Sequence, residues 1–419
     1  MLSDWSQSGT SSWRWQQLPR LLGMTKLTAY SRPWNVAVWT LFFTRGIFWG
    51  VWASQTPAIK QALNLSLSQV SLYSMLFSIG SISAVFIGGR LIARFGSRAI
   101  SLTVYVAAAA GLVGLALIVL GQATDLVFIL IAILGLPIGI ADLDNNLQAT
   151  ELNRASGRNL VPSLHGGFSV GVLIGSAVAG FWFSQYVPTP SQLLIAATVI
   201  GASSALAALL IPRANGRSSQ QNLHKAEMGF VGRFDIWKEK RTMQLAVIAF
   251  AFVFSEAAVT NWIPLALVQQ GFDKSAAAIG YTAFGLGMAA MRISGNKVAD
   301  LLGRRRVIIG SVIFTSLGEI WFIFSPLVGG QYFAITLWGL GTAIALAMVF
   351  AAAGDNQARM GKRVNIIVGV TYLANVVTGP IISGIASVTG IVTAFFISLI
   401  FVLVAAFFSR AVDPERVAA

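Results

Sequence analysis

Beyond residue 33 the chain alternates long apolar runs with short polar breaks, and this alternation predicts its elements. The runs cover residues 34–58, 68–91, 99–121, 126–150, 160–186, 191–212, 242–268, 275–296, 306–328, 330–353, 364–388 and 391–409. Each is close to the ~20 residues that a helix needs to cross the hydrocarbon core of a bilayer. The expected fold is an all-α membrane protein with twelve transmembrane helices in two six-helix halves, 34–212 and 242–410, joined by a polar linker over 213–241. Residues 1–33 and 411–419 read as terminal segments outside the membrane. The first of these carries Arg14, Arg20, Lys26 and Arg32 and no apolar stretch resembling a secretory signal.

Composition agrees with the pattern. Of 419 residues, 56% are hydrophobic and 11% charged, where a soluble chain carries roughly 25% charge. A soluble enzyme, a nucleic-acid-binding module and a disordered tail are excluded on that ground. The net charge of +14 becomes informative once it is placed. With the N-terminus inside, 25 of the 29 Lys and Arg fall on the inner side, Lys60 and Lys274 fall outside, and Arg45 and Arg292 lie within spans. Such asymmetry puts both termini in the cytoplasm. It makes the charge a basic face against anionic lipid, with no nucleic acid as partner. The absence of cysteine excludes disulfides and thiolate sites, and two histidines leave no histidine-built metal site. No metal and no other cofactor is expected.

The two halves repeat one another. FWGVWASQTP at 48–57 and AVTNWIP at 258–264 both set Trp and Pro near the outer end of the first helix of a half. GGRLIARFGSR at 88–98 lies over GNKVADLLGRRR at 295–306, with Gly96 on Gly303, Arg98 on Arg305 and Ala93 on Asp300. Parallel duplication of a six-helix unit is a build of secondary transporters. The Gly-x-x-x-x-Asp-x-x-Gly-Arg-Arg pattern of 295–305 resembles the signature loop of the major facilitator superfamily. GIADLDNNLQATEL (139–152) and SLHGGFSVGVLIGSAVAG (163–180) resemble bacterial permeases related to the fucose and rhizopine permeases, over about residues 36–408. The resemblance implies alternating access around a cavity lined by the first, fourth, seventh and tenth helices. It also implies a cytoplasmic gate, here Arg94, Arg98, Asp300, Arg304 and Arg305. Ala93 stands where the first loop usually has an acid, so the gating contact expected there is missing or supplied by another residue.

Seven titratable residues remain inside the spans: Arg45, Asp142, Asp144, His165, Glu256, Arg292 and Glu319. Each costs roughly 2.5–3.5 kcal/mol to insert, so each is a functional candidate unless it merely locks two helices as a buried pair. At ~1.5 Å per residue, Arg45 and Asp142 lie about 16 and 15 Å from the inner ends of their helices, and the resemblance puts them side by side. Asn146, one turn beyond, extends the face of Asp142. Asp144 must face elsewhere and could join His165. Glu256, about 21 Å in, has no cation at its depth on a cavity helix. That makes it the first candidate for carrying a coupled proton, with Asp142 second. Arg292 reads as structural or part of the inner gate, and Glu319 has no reading.

Trp49, Trp52 and Gln55 on the first helix, Asn261 and Trp262 on the seventh, and Tyr372 and Asn375 on the eleventh offer stacking faces and hydrogen bonds. With Arg45, Asp142 and Asn146 they suit a neutral polyhydroxyl solute, although Trp52 and Trp262 could equally belong to an interfacial belt. Gly167, Gly171 and Gly175 form a small-residue face for close helix packing. With no phosphate-binding Gly-x-x-x-x-Gly-Lys-Ser/Thr loop, energy is expected from an ion gradient. The expectation is a monomeric, non-enzymatic, proton-coupled secondary transporter of a small polar solute. An efflux antiporter for drugs or metabolites is the alternative, disfavoured by the lack of the Gly-Pro pair that many drug antiporters carry on the fifth helix. A transport-silent membrane receptor is the alternative of another class.

Overall fold

The computed structural model describes residues 30–158, 160–217, 239–325 and 328–415. Arg14, Arg20, Lys26, Lys225, Arg233, Lys238 and Arg416, on which the charge asymmetry partly rests, lie outside the described residues. Among the described residues all regular structure is helical. The first half contains α1 (Arg32–Ala62), α2 (Leu67–Phe95), α3 (Ser97–Gly121), α4 (Thr124–Ser156), α5 (Val161–Ser184) and α6 (Thr189–Leu210). The second contains α7 (Lys240–Gln269), α8 (Lys274–Leu302), α9 (Arg304–Phe324), α10 (Val328–Thr342), α11 (Ala345–Ala353), α12 (Gln357–Thr389), α13 (Ile391–Ala394) and α14 (Phe396–Phe407).

Two expectations change. The tenth span is broken at residues 343–344 into α10 and α11, and the twelfth is interrupted at Phe395 between α13 and α14. Among the described residues eleven stretches are long and apolar enough to cross a membrane, and a twelfth, Ile391–Phe407, is apolar but shorter. Several helices also outrun their apolar windows: α4 continues to Ser156 and α8 to Leu302, because a polar sequence carries a helix on beyond the hydrocarbon. The start of the polar linker packs back on the first half. Ser97 donates its N–H to the Asn215 carbonyl at 2.9 Å, so residues 213–217 fold back onto the α2–α3 turn.

The repeat is plain in the backbone. α2 and α8 each run 29 residues from an extended cap, Ser66 or Asp273, whose side chain accepts a backbone N–H three residues on. Each ends at a glycine with positive φ, Gly96 at 82° and Gly303 at 78°, which is also the cap of the next helix. With ψ near 154° that conformation is open essentially to glycine alone. One residue therefore turns the chain sharply in each half.

Packing follows the same symmetry. α1 lies on α5 and α6, α2 on α4, and α3 on α6, while α7 lies on α12, α8 on α10, and α9 on α10 and α14. The α1–α5 contact is a glycine seam. A Cβ on Gly46 would run into the Phe168 carbonyl and one on Gly171 into the Phe43 carbonyl, with Gly167 against Trp39 and Gly175 against Ile47. The halves meet along α5–α8 and α2–α12. Large apolar side chains such as Leu117, Leu120, Ile129, Ile133, Leu206 and Phe407 are exposed on the outside. A water-soluble surface does not carry so broad an apolar belt, so this one faces lipid.

Candidate functional site

Near the middle of α1 and α4 the structure brings Arg45 and Asp142 into an ion pair. Arg45 is thirteen residues into α1 and Asp142 fourteen from the end of α4, so both lie about 20 Å along their helices. The pair is unequal. The Arg45 side chain is 9% exposed and that of Asp142 46%, so the guanidinium is covered and the acid accessible. Arg45 is within electrostatic reach of Glu256, Arg292 and Tyr372 of the second half, so the pair borders the space between the halves, the gap. Asn146 donates to Asp142 Oδ1 at 3.0 Å, the continuation of that polar face. Arg45 Cζ also lies 4.6 Å from the centroid of the Phe168 ring, a cation–π distance.

The second half supplies a matching pair. Arg292 Nη2 of α8 lies 3.5 Å from Glu256 Oε1 of α7. Again the cation is the more buried, 17% against 34%. Arg292 is further held by Ser169 Oγ of α5 at 3.1 Å and by the Ala343 carbonyl at 3.4 Å. That carbonyl lies at the break between α10 and α11, where helical hydrogen bonding lapses and an acceptor is left over. Arg292 Cζ is 5.7 Å from the Phe168 ring, so one aromatic side chain has an arginine from each half beside it. One reading is thereby corrected: Glu256 does have a cation beside it, supplied by α8. α8 runs on to Leu302, which places Arg292 about 15 Å from its inner end.

Asp144 and His165 do not meet. Asp144 accepts from Ser101 Oγ at 2.7 Å and Gln148 Nε2 at 2.9 Å, and Gln148 takes the Trp34 indole N–H at 3.3 Å. Two residues from Asp142, Asp144 points round α4 at α3, not at α5. His165 instead lies edge-on to Phe42, with ring centroids 5.0 Å apart.

The aromatic and amide candidates divide. Trp52 is buried in a stack with Phe48, Tyr73 and Phe77, Gln55 is buried and donates to Gln192 Oε1, and Trp262 is buried with its N–H unpartnered. These three neither reach the gap nor form an interfacial belt. Trp49, Asn261, Tyr372 and Asn375 remain half-buried. Asn261 and Asn375 give their amide N–H to carbonyls one turn back at 2.9 and 3.0 Å. Tyr372 lies on α12 within electrostatic reach of Arg45. Sequence reasoning missed Phe168 and Ser169, which carry no charge to flag them.

The gate residues stand apart. Arg94 lies over Phe95 of its own helix, Arg304 pairs with Asp355 of its own half at 2.7 Å, and Asp300 is exposed. Arg98 and Arg305 are half-buried at the starts of α3 and α9. Hydrogen bonds that cross between the halves include Ser275 to the Gly180 carbonyl at 2.8 Å, Thr282 to Ser176 at 2.9 Å and Arg292 to Ser169. These run down α5 and α8 from the end remote from the α2–α3 and α8–α9 turns to mid-depth.

A duplicated helical membrane bundle with an acid–arginine pair from each half at its centre defines an integral, multi-pass membrane transporter. The family model of the Major Facilitator Superfamily matches residues 37–295 and 268–418, and the chain belongs to that superfamily. An uncharacterized MFS-type transporter of Yersinia pestis is 28% identical over 375 residues, 88% of this chain and 94% of that protein. Membrane protein MosC of Rhizobium meliloti is 27% identical over 377 residues, 88% of each. Among solved structures, the nucleoside transporter NupG aligns with TM-score 0.72 at 16% identity, over 90% of this chain and 99% of that one. The Escherichia coli fucose:proton symporter FucP aligns with TM-score 0.63 at 17% identity, over 91% and 98%.

Proposed function

We propose that this protein moves a small polar solute, a sugar, polyol or similar compound, across the bacterial inner membrane by alternating access coupled to protons. It works as a monomer with both termini in the cytoplasm. The observation that carries this reading is the pair of acid–arginine contacts, one in each half, with the acid the more accessible member of each. A carboxylate presented this way accepts hydroxyl groups of a solute. A carboxyl group is also a side chain that can take up and release a proton. Arg292 bonds to Ser169 of the opposite half, so rocking of α5 against α8 alters the Glu256–Arg292 contact directly. Asp300 is exposed and Arg304 is turned to Asp355 of its own half, which fits a state open toward the basic side. The printed names of a fucose:proton symporter and a nucleoside transporter of the same fold agree with a polyhydroxyl solute.

The test has two stages. A thermal-shift screen of the purified chain against sugars, polyols, inositols and nucleosides is expected to find a stabilising solute, since a ligand of the native state raises its melting temperature by mass action. In proteoliposomes that solute should accumulate against its gradient when a proton gradient is imposed. Glu256→Gln, which mimics the protonated side chain, should abolish uphill accumulation and spare counterflow exchange. Uphill accumulation surviving in both Glu256→Gln and Asp142→Asn would sink proton coupling at this site.

A further inference from the structure

Behind the gap-facing side of α7 lies a carboxyl group that the transport site does not use. Glu319 of α9 is fully buried. Its Oε1 accepts from Ser255 Oγ of α7 at 3.0 Å and from Ser398 Oγ of α14 at 2.6 Å. Ser255 Oγ in turn accepts the indole N–H of Trp338 of α10 at 2.7 Å. The proton count fixes the direction of the chain. Trp338 can only donate, so the serine oxygen takes that bond and its single hydroxyl proton goes to Glu319. One carboxyl oxygen thus gathers four helices, α7, α9, α10 and α14.

The other oxygen, Oε2, has no hydrogen-bond partner and is buried. Charged groups are scarce around it. α10, α11, α13 and α14 carry none, and α9 carries only Arg304, Arg305 and Arg306 at its far start. On α7 the charges beyond the first two residues reduce to Glu256, which already pairs with Arg292 of α8. An ionised Glu319 would bury a charge with one oxygen bare. The neutral acid leaves a single O–H unpaired, a much smaller penalty.

We propose that Glu319 is carried as the neutral acid across the working pH range and is a positioning residue for Glu256. It holds Ser255 toward α9, α10 and α14. That fixes the rotation of α7 and turns the next residue, about 100° further round the helix, toward the gap and Arg292. The inference goes beyond the transport reading and can be tested without a solute.

Infrared spectra of the purified full chain should contain a protonated-carboxyl absorption that Glu319→Gln removes, with equal intensity at neutral and mildly alkaline pH. No lost band, or a band that titrates away over that range, overturns the neutral acid. If Glu319→Gln does not fold, the wild-type band followed across pH decides the same point. Positioning is read from the titration of Glu256, taken as the difference in melting temperature against pH between chains with Glu256 and with Glu256→Gln. In a Glu319→Gln background, whose amide oxygen still accepts both hydroxyls, that difference curve should be unchanged. In a Glu319→Leu or Ser255→Ala background its midpoint should shift. An unchanged midpoint in both backgrounds overturns the positioning role, and a shift in Glu319→Gln equal to that in Glu319→Leu does so as well.

Discussion

A buried arginine beside a half-exposed aspartate makes the two members of a pair unequal in what their loss costs. Asp142→Ala strands the Arg45 guanidinium where water barely reaches it, and should destabilise the protein by about 3 kcal/mol, the low end for a broken buried pair. Arg45→Ala leaves an acid that water solvates from the gap, so the loss should be nearer about 1 kcal/mol, an ordinary substitution. The double mutant should be more stable than the sum predicts, with a coupling of about 1–2 kcal/mol for residues in contact. Unfolding of the four proteins in one detergent checks this, and simple additivity would refute the pair. This contact was legible because both residues carry charge, their expected depths matched each other, and the resemblance set their helices side by side. The Glu256–Arg292 contact was hidden by a helix end that hydropathy cannot mark. The partners of Asp144 and Glu319 were hidden because serine, glutamine and tryptophan carry no signal of depth or direction.

Between elements, two kinds of contact hold the bundle, and each makes its own demand. The α1–α5 seam needs absent side chains. Gly171→Ala places a Cβ against the Phe43 carbonyl, a rigid backbone atom, and overpacking of this kind costs about 1–3 kcal/mol. A lower melting temperature than for Gly384→Ala, where the added Cβ meets nothing, is the expected result. The small-residue spacing on the fifth helix was readable in the sequence; the partner helix was not. The basic end of the second half relies instead on charge. Arg363, with no side-chain exposure, binds Glu239 just ahead of α7 at 3.1 Å through Nε, and Glu415 at 2.7 Å. Asp355 between α11 and α12 binds Arg304 at 2.7 Å and Arg241 at 2.9 Å. The hydrogen bond to Arg363 above all holds the Glu239 carboxyl down at about 2. Arg363 likewise lowers Glu415, and at Asp355 burial pushes upward but is outweighed by Arg304 and Arg241. An acid lowered in the folded state stabilises it above its ordinary value, about 4, and loses that contribution as pH falls through its folded value. The melting temperature should therefore drop steeply between about pH 4 and 2. Glu239→Gln should start lower and fall less over that interval, and parallel curves would show that this network does not carry the acid sensitivity.

For the molecule as a whole, the repeat fixed by one glycine turn per half leaves two six-helix bodies that touch along α5–α8 and α2–α12. Twelve spans, their grouping and the duplication follow from hydropathy and a loop motif. The state in which the two bodies rest does not, because it depends on which weak cross-contacts form at either end. In this structure the cross-half hydrogen bonds occupy the remote end and the middle, while Asp300 is exposed and Arg304 is turned to Asp355. Alternating access requires the remote contacts to part once per cycle. The chain has no cysteine, so an introduced pair is the sole thiol pair in the protein. Ser176 Oγ and Thr282 Oγ1 lie 2.9 Å apart on α5 and α8, close to the reach of a disulfide. Ser176→Cys with Thr282→Cys should oxidise readily without any solute present. The cross-linked protein should bind the solute found by thermal shift but move none of it in proteoliposomes, and a reductant should restore movement. With Asn146→Cys added and its thiol blocked only after cross-linking, a bulky maleimide should still reach the gap from the basic side. Transport at the wild-type rate by fully cross-linked protein would mean that α5 and α8 never separate, and the two bodies would have to exchange access by some motion other than rocking apart at this end.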